Sequence, residues 1–469
     1  MIKFGTSGFR GVIADNFTKE TVQKVAFAIA KISKTNNIIA VGYDNRFMGS
    51  VFAKWLCEVL VAYGKQIKFF EVPVPSPLIA FETLENEFGI MISASHNPYV
   101  YNGIKIFQTG GRELTTQQNQ TLEKIANRTK HSKIKTIGFD EAKKQGIIKT
   151  TKSVSAYINS ILKNTNPKAI KQSGVKVYFN AMNGSSSSCA HTLFEKLGLT
   201  AKYINCSIDP NFNFGLPAPY RNNLGDQTAL AKTDFNEDFG FALDGDGDRI
   251  SFLDENGGFY DSNYLVALVY DHICQTTPCD IVKNCAMTAL LDKIAERHNQ
   301  KVVLAGVGFK NTAQKMLENQ NAFLGAESNG FAVRGHLLYK DGLMGAVKVI
   351  ETLASGKTTK LSKAIKNLKK KYNFPCEAVE YAYPFTEDQR TTITQKVFKN
   401  KLVPNFPERP VSMHYEDGAK FVFKDGYWCV IRFSGNENVL RLFAEMPNIE
   451  TTEKHIKIME KFVGLKTRQ

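Results

Sequence analysis

The chain has 469 residues, 43% of them hydrophobic, which is enough apolar material for several cores and too long for one compact unit, so about three or four domains are expected. Its 60 Lys and Arg against 45 Asp and Glu give a formal net charge of +15, which suits an anionic partner without choosing between nucleic acid, an acidic surface and a small anion. No apolar run reaches the ~18–20 residues of a membrane span, the opening MIKFGTSGFRG lacks the order of a signal peptide, and the eight cysteines form no CxxC pair, so a cytoplasmic protein with reduced thiols and no membrane partner is expected.

In chain order, Thr18 is placed to cap a helix whose Val22, Val25, Ala26 and Ile29 share one face. Ile38–Tyr43 follows as a buried strand, then a helix over Ser50–Tyr63 and strands near Ile67–Phe70 and Gly89–Ile92, the last running into Ser93-Ala94-Ser95-His96-Asn97-Pro98. Polar, Lys-rich stretches around Asn127–Lys135 and Lys143–Lys152 suggest a border. The α/β rhythm then restarts with a strand at Val175–Phe179 and a helix at Ser187–Leu197 closed by Gly198. Another short strand, Phe239–Leu243, runs into DGDGDR. A helix near Asn263–Cys274 and strands at Ile281–Val282, Val302–Leu304 and Ala322–Leu324 lead to GAESNG. The repeated plan is a strand followed by a polar loop, and in open α/β sheets ligands gather at the carboxyl ends of strands, so three such loops can face one cleft. The Lys360–Lys371 helix looks like one solvated face rather than an aromatic-interleaved stripe for nucleic acid, so no nucleic-acid partner is expected. The Asn373-Phe374-Pro375 break then suggests a hinge before a smaller unit with a helix (Glu387–Lys399), two strands (Lys420–Lys424 and Tyr427–Phe433) and a last helix (Thr452–Phe462). Four units result: 1–145, 146–254, 255–370 and 371–469.

Each polar loop has a chemical and a bland reading. Ser95 stands where a strand fixes a hydroxyl and Pro98 stops regular structure, which suits a nucleophile, although a Ser/Asn turn bonded to its own backbone has the same composition. It lacks the G-x-S-x-G elbow of acyl transfer. Asp244, Asp246 and Asp248 alternate with glycines, so three carboxylates can converge on one hard cation, magnesium in preference to others. A calcium-binding EF-hand competes, because Glu255 falls at the twelfth position, but the sixth is Arg249 instead of Gly and the flanks Phe239–Leu243 and Ile250–Leu253 read as strands. Arg432, Ser434, Asn436 and Arg441 surround a Ser-Gly turn at Gly435 that suits a phosphate, and Gly5–Gly11 is a glycine-rich loop carrying Arg10.

Taken together, GTSGFRG, SASHNP, DGDGDR, GAESNG with HLLYKDG, and RFSGNENVLR resemble, in this order, the α-D-phosphohexomutase superfamily, from Gly5 to Arg441. The resemblance implies an α/β fold: three related mixed-sheet α/β domains and a smaller α+β C-terminal domain around a central cleft. It implies that Ser95 carries a phosphoryl group and, with Asp244, Asp246 and Asp248, holds Mg²⁺, and that Arg10, His96 and Arg249 complete the electrostatic shell. A hexose 6-phosphate would pass to the 1-phosphate through a 1,6-bisphosphate, which also serves as activator. Lys105, in NGIKIF, is the candidate general acid or base, with a pKa expected to fall among neighbouring cations. Glu327 and Ser328 are expected on the sugar, with Lys310, His336 and Lys340 on sugar or phosphate, and Arg432, Ser434, Gly435, Asn436 and Arg441 on the distal phosphate. Two departures bear on this: the sugar loop places its carboxylate one residue before the serine instead of two, and the phosphate loop has Asn438 where proline is usual. Glucose or mannose phosphate is the expected substrate, with glucosamine phosphate and a non-catalytic basic regulatory or calcium-binding protein as alternatives, and a monomer or homodimer as the assembly.

Overall fold

The computed structural model describes residues 1–5, 7–33, 38–225, 237–434 and 439–465. Among them lie four sheets in four successive units. The first has a parallel centre, Gln66–Phe70 beside Ile38–Tyr43 beside Phe88–Ile92, and continues antiparallel into Tyr101–Gln108 and Gly8–Val12. The helix Lys19–Ile32 begins at Thr18, which forms a reciprocal cap with Thr21. It buries Val22, Val25, Ala26 and Ile29 on this sheet.

The second and third units repeat that plan. Thr200–Ile204, Lys176–Asn180 and Phe239–Leu243 lie parallel, and Ile250–Asp254 returns antiparallel to the last. Likewise Val302–Leu304, Asp280–Lys283 and Ala322–Glu327 lie parallel, with Gly330–Val333 antiparallel. In all three units the chain leaves the inner parallel strand, makes a polar loop and turns back beside it. Those loops are 93–100, 244–249 and 328–329, so one topological position carries the chemistry three times. The fourth unit is an antiparallel sheet, Glu377–Pro384, Val439–Met446, Trp428–Phe433, Ala419–Val422 and Ser412–His414 in spatial order, covered by the helix Ile449–Val463.

Sheet pairing moves two expected borders later. Ile148–Thr151 joins the first sheet beside Gln66–Phe70, and Phe259–Tyr260 joins the second beside Ile250–Asp254, so each of these strands lies beyond the expected break at 145 or 254 yet bonds to the sheet before it. Among the helices not expected from the sequence are Ser76–Glu82, the polar Thr116–Arg128, and Gly342–Ser355, whose apolar residues surround its axis because it is almost wholly buried. The expected helix Glu387–Lys399 is helical only to Ile393 and continues as a wider π turn over Thr394–Lys399. The cores of the second and third units are fused, and Phe70, Leu78, Met91 and Phe107 of the first and Trp428 of the fourth enter the same cluster. The 373–375 segment is held by Tyr427: its ring stacks on Phe374 at 4.9 Å, and its hydroxyl donates to the Pro375 carbonyl. All eight cysteines are free thiols. No helix among the described residues is long and apolar enough to cross a membrane.

Candidate active site

The serine loop is built by its neighbours. Ser95 is 1% exposed and left-handed, with φ +55°, a conformation that a side chain rarely adopts unless its surroundings dictate it. The dictating group is Arg46, at the carboxyl end of the adjacent strand. Its guanidinium donates to the carbonyls of Ser95 (2.6 Å), Asn97 (2.6 Å), Pro98 (2.8 Å) and Tyr101 (3.0 Å), so four backbone carbonyls of the loop hang on one fork. Asp44 lies 3.3 Å from Arg46 Nε and accepts from the Ser93 hydroxyl (2.6 Å), which in turn accepts from the Ser95 amide (2.8 Å). The Phe212 ring covers the guanidinium at 4.9 Å. Replacing Arg46 with leucine leaves Asp44 as a buried, uncompensated charge and is expected to cost about 3–5 kcal/mol. Arg46→Lys, which keeps the charge but not the fork, is expected to slow turnover about 10²-fold through a misplaced Ser95. Calorimetry and a turnover assay check both, and wild-type turnover in Arg46→Lys contradicts the positioning role.

The Ser95 hydroxyl donates to Asp244 Oδ2 at 2.7 Å, across 149 residues of sequence. Asp244, Asp246 and Asp248 each offer an oxygen within 4.8 Å of the others, and all three are buried. Gly247 permits this crowding: its φ is +74°, and a Cβ there would meet the Ser186 hydroxyl at 2.0 Å. Burial and then repulsion from Asp246 and Asp248 push the Asp244 carboxyl up to about 7. Asp246 Oδ1 has no hydrogen-bond partner among the described residues. A dry cluster of three hard carboxylate oxygens, one of them unsatisfied, beside a serine hydroxyl fits a small divalent cation.

Six further positions converge here. Lys105 Nζ lies 2.6 Å from Asp246 and 2.7 Å from Asp248. Burial pulls its ammonium down, but these carboxylates push it above the ordinary lysine value, opposite to the fall expected from neighbouring cations. Its carboxylate neighbours thus favour the charged ammonium. Lys340 Nζ lies 3.3 Å from Asp248 Oδ1, and the Tyr339 hydroxyl donates to Asp248 Oδ2. Arg249 donates its amide to Asp244 (3.0 Å) and its guanidinium to the Tyr220 hydroxyl (2.7 Å). Arg10 donates to Asn97 Oδ1 at 2.5 Å, and the half-buried His96 has Nδ1 3.4 Å from Ser95 Oγ.

On the sugar side the outcome is mixed. Glu327 Oε1 accepts from the Gly308 amide at 2.9 Å, and Ser328 is half-buried at the turn that follows. Lys310 is half-buried in the first turn of the helix Phe309–Glu318. His336 is not available to a sugar. It is 4% exposed, its Nδ1 shares a hydrogen bond with the Ser160 hydroxyl (2.8 Å), its Nε2 with Asp341 (2.8 Å), and its ring lies against Phe81 and Tyr157. It fastens the second unit to the third instead.

In the fourth unit Arg432 and Arg441 stand directly opposite each other on paired strands, an arrangement of like charges that costs energy unless anions join it. Glu380 pairs with Arg441, and Asp417 lies 3.8 Å from Arg432. The Ser434 amide donates to the Val439 carbonyl at 2.9 Å. Gly435 and Asn436, expected on the distal phosphate, lie outside the described residues. The calcium-loop reading fails on geometry: Glu255 accepts from the hydroxyl of Ser362, away from the triad, and the flanking segments are strands. Sequence reasoning missed Arg46, Asp44, Tyr339 and Tyr220. Asp44 and Arg46 had a local signal, a charged Tyr-Asp-Asn-Arg run at the end of a buried strand, and Tyr339 lies within the HLLYKDG run.

Profiles of phosphoglucomutase/phosphomannomutase alpha/beta/alpha domains I, II and III match residues 1–133, 155–258 and 261–372. A protein of Thermococcus kodakarensis described as phosphoglucomutase/phosphomannomutase is 31% identical over 97% of each chain. One of Methanosphaera stadtmanae described as a probable phosphoglucosamine mutase is 29% identical over 98% of this chain and 96% of that one. Among solved structures, a putative phosphomannomutase from Thermus thermophilus superposes with a TM-score of 0.85 at 24% identity, covering 99% of both chains.

Proposed function

Because the chain belongs to the phosphoglucomutase/phosphomannomutase family and is, with it, an intramolecular phosphotransferase, we propose that it interconverts the 6- and 1-phosphates of glucose or mannose through phospho-Ser95. The observation that carries this reading is the 2.7 Å contact between the Ser95 hydroxyl and Asp244, which sets the hydroxyl at the edge of a carboxylate cluster able to hold a metal.

Asp244, Asp246 and Asp248 would hold Mg²⁺, which when bound neutralises charge on the phosphoryl oxygens. Arg46 presents the serine. In the first half-reaction the bond from phosphorus to Ser95 Oγ breaks as the free hexose hydroxyl bonds to phosphorus, and the hydroxyl proton ends on Oγ. Lys105 and Arg10, kept charged or hydrogen-bonded at the loop, steady the transferring oxygens, while burial excludes the water that would hydrolyse phosphoserine. Arg432 and Arg441 take the other phosphate. After the 1,6-bisphosphate turns end for end, Ser95 recovers a phosphoryl group from the opposite position. A cytoplasmic setting and a hexose 1,6-bisphosphate activator accompany this reading.

Glucosamine phosphate is the second reading, favoured by the Methanosphaera relative's description. A coupled assay with glucose, mannose and glucosamine 6-phosphates, with and without the matching bisphosphate, separates the two. Glucose or mannose is expected to turn over at least ~10-fold faster than glucosamine, a difference of about 1.4 kcal/mol in transition-state binding. The reverse order selects the amino sugar.

A further inference from the structure

Glu113 is a buried carboxylate with no structural occupation. It belongs to the short strand Arg112–Glu113, opposite Phe107 in the strand Tyr101–Gln108. Lys105 lies two residues before Phe107, so strand alternation puts Glu113, Phe107 and Lys105 on one face. That face meets Tyr339, whose ring packs edge-on against Phe107 at 4.9 Å. Glu113 is 6% exposed, and neither of its oxygens has a hydrogen-bond partner among the described residues. The Ser7 hydroxyl lies beside it in the same small cavity and favours its charged form.

Its charged neighbours are those of the active site. Lys105 and Lys340 both act on Glu113, and Lys340 also acts on Glu327, which itself feels the negative charge of Glu113. The strand carrying Glu113 packs against the helix that begins at Phe309 and carries Lys310. Two carboxylates, one from the first unit and one from the third, thus share a lysine that touches the metal cluster. Glu327 has an oxygen committed to Gly308, whereas the two buried oxygens of Glu113 accept no hydrogen bond of that geometry among the described residues. A buried carboxylate left without donors costs several kcal/mol in general, and its persistence here makes sense if a ligand supplies them.

We propose that Glu113 is a substrate-binding residue whose two oxygens accept hydrogen bonds from ring substituents of the hexose, facing Glu327 across the cleft. The assignment rests on the mutase reading and adds to it the group that recognises the sugar itself. The donor class is O–H or, in an amino sugar, N–H. A residue in this position senses ring stereochemistry, while the phosphate-binding arginines do not.

The test uses the full chain as wild type, Glu113→Gln and Glu113→Ala, with glucose 6-phosphate, its 2-, 3- and 4-deoxy analogues, and glucosamine 6-phosphate. The glutamine variant is expected to lose about 10- to 100-fold in kcat/KM, mostly in KM, the range expected for hydrogen bonds to a charged group. Its melting temperature should be no lower than wild type, and the phosphate content of Ser95, read by intact mass, should not change. One deoxy analogue should be penalised in wild type but not further in the variant, which identifies the hydroxyl bound; a loss confined to glucosamine 6-phosphate identifies an amine instead. Wild-type kcat/KM in both variants on every sugar overturns the assignment. So does a full extra penalty from every deoxy analogue in the glutamine variant. Wild-type protein that turns over none of the sugars overturns the mutase reading, and the role of Glu113 with it.

Discussion

Ser95→Ala is expected to lower mutase turnover by at least ~10⁴-fold while leaving the fold intact, because the reaction loses the atom that carries the phosphoryl group between half-reactions. The hydroxyl makes one strong contact, with Asp244, and the loop around it is held by Arg46 through backbone carbonyls that the substitution does not touch. Stability should therefore change little. A coupled assay together with a thermal melt checks both halves. Substantial turnover in a folded alanine variant would mean that phosphoryl transfer bypasses this residue.

The second large effect belongs to the carboxylate cluster. Asp244→Asn keeps a side chain able to accept from the Arg249 amide and to donate to Ser95, yet it removes one of three like charges crowded in a dry site. Turnover with saturating Mg²⁺ is expected to fall roughly 10³-fold, since charge on the transferring group is no longer fully countered. In chelator the same variant should melt no lower than wild type, because repulsion among buried carboxylates is relieved. Titration calorimetry should register Mg²⁺ binding to wild type and little or none to the variant. An unchanged Mg²⁺ isotherm would contradict the assignment of the cluster as the metal site. A merely structural cluster should show the opposite pattern, with a lower melting temperature and normal turnover.

The strands that end in chemistry were legible because they are short, wholly apolar and followed at once by polar loops. Phe88–Ile92 and Phe239–Leu243 are buried at every position, so the change of character at Ser93 and Asp244 marks the strand end and the site together. Binary pattern reports burial on both faces of a parallel sheet but not what lies across the loop. Lys105 illustrates the difference. The resemblance suggested a cationic setting, whereas its neighbours in space are carboxylates, Asp248 among them 143 residues away, and the direction of its pKa shift reverses. His336 stands in a run shared with Lys340, but side chains four residues apart outside a helix need not face one way: Lys340 reaches Asp248 while His336 turns inward to Ser160 and Asp341. Gly342–Ser355 lacked a one-sided stripe because packing surrounds it. Glu113, in a two-residue strand, offers no pattern at all; only its burial and its unpartnered oxygens distinguish it.

The most direct test of the account is intact mass with site mapping after incubation with glucose 1,6-bisphosphate and Mg²⁺. The protein should gain about 80 Da, one phosphoryl group, located on Ser95, and should lose it again when a hexose monophosphate is added and bisphosphate forms. A protein that never takes up the group, or takes it up at another residue, contradicts phospho-Ser95 as the carrier.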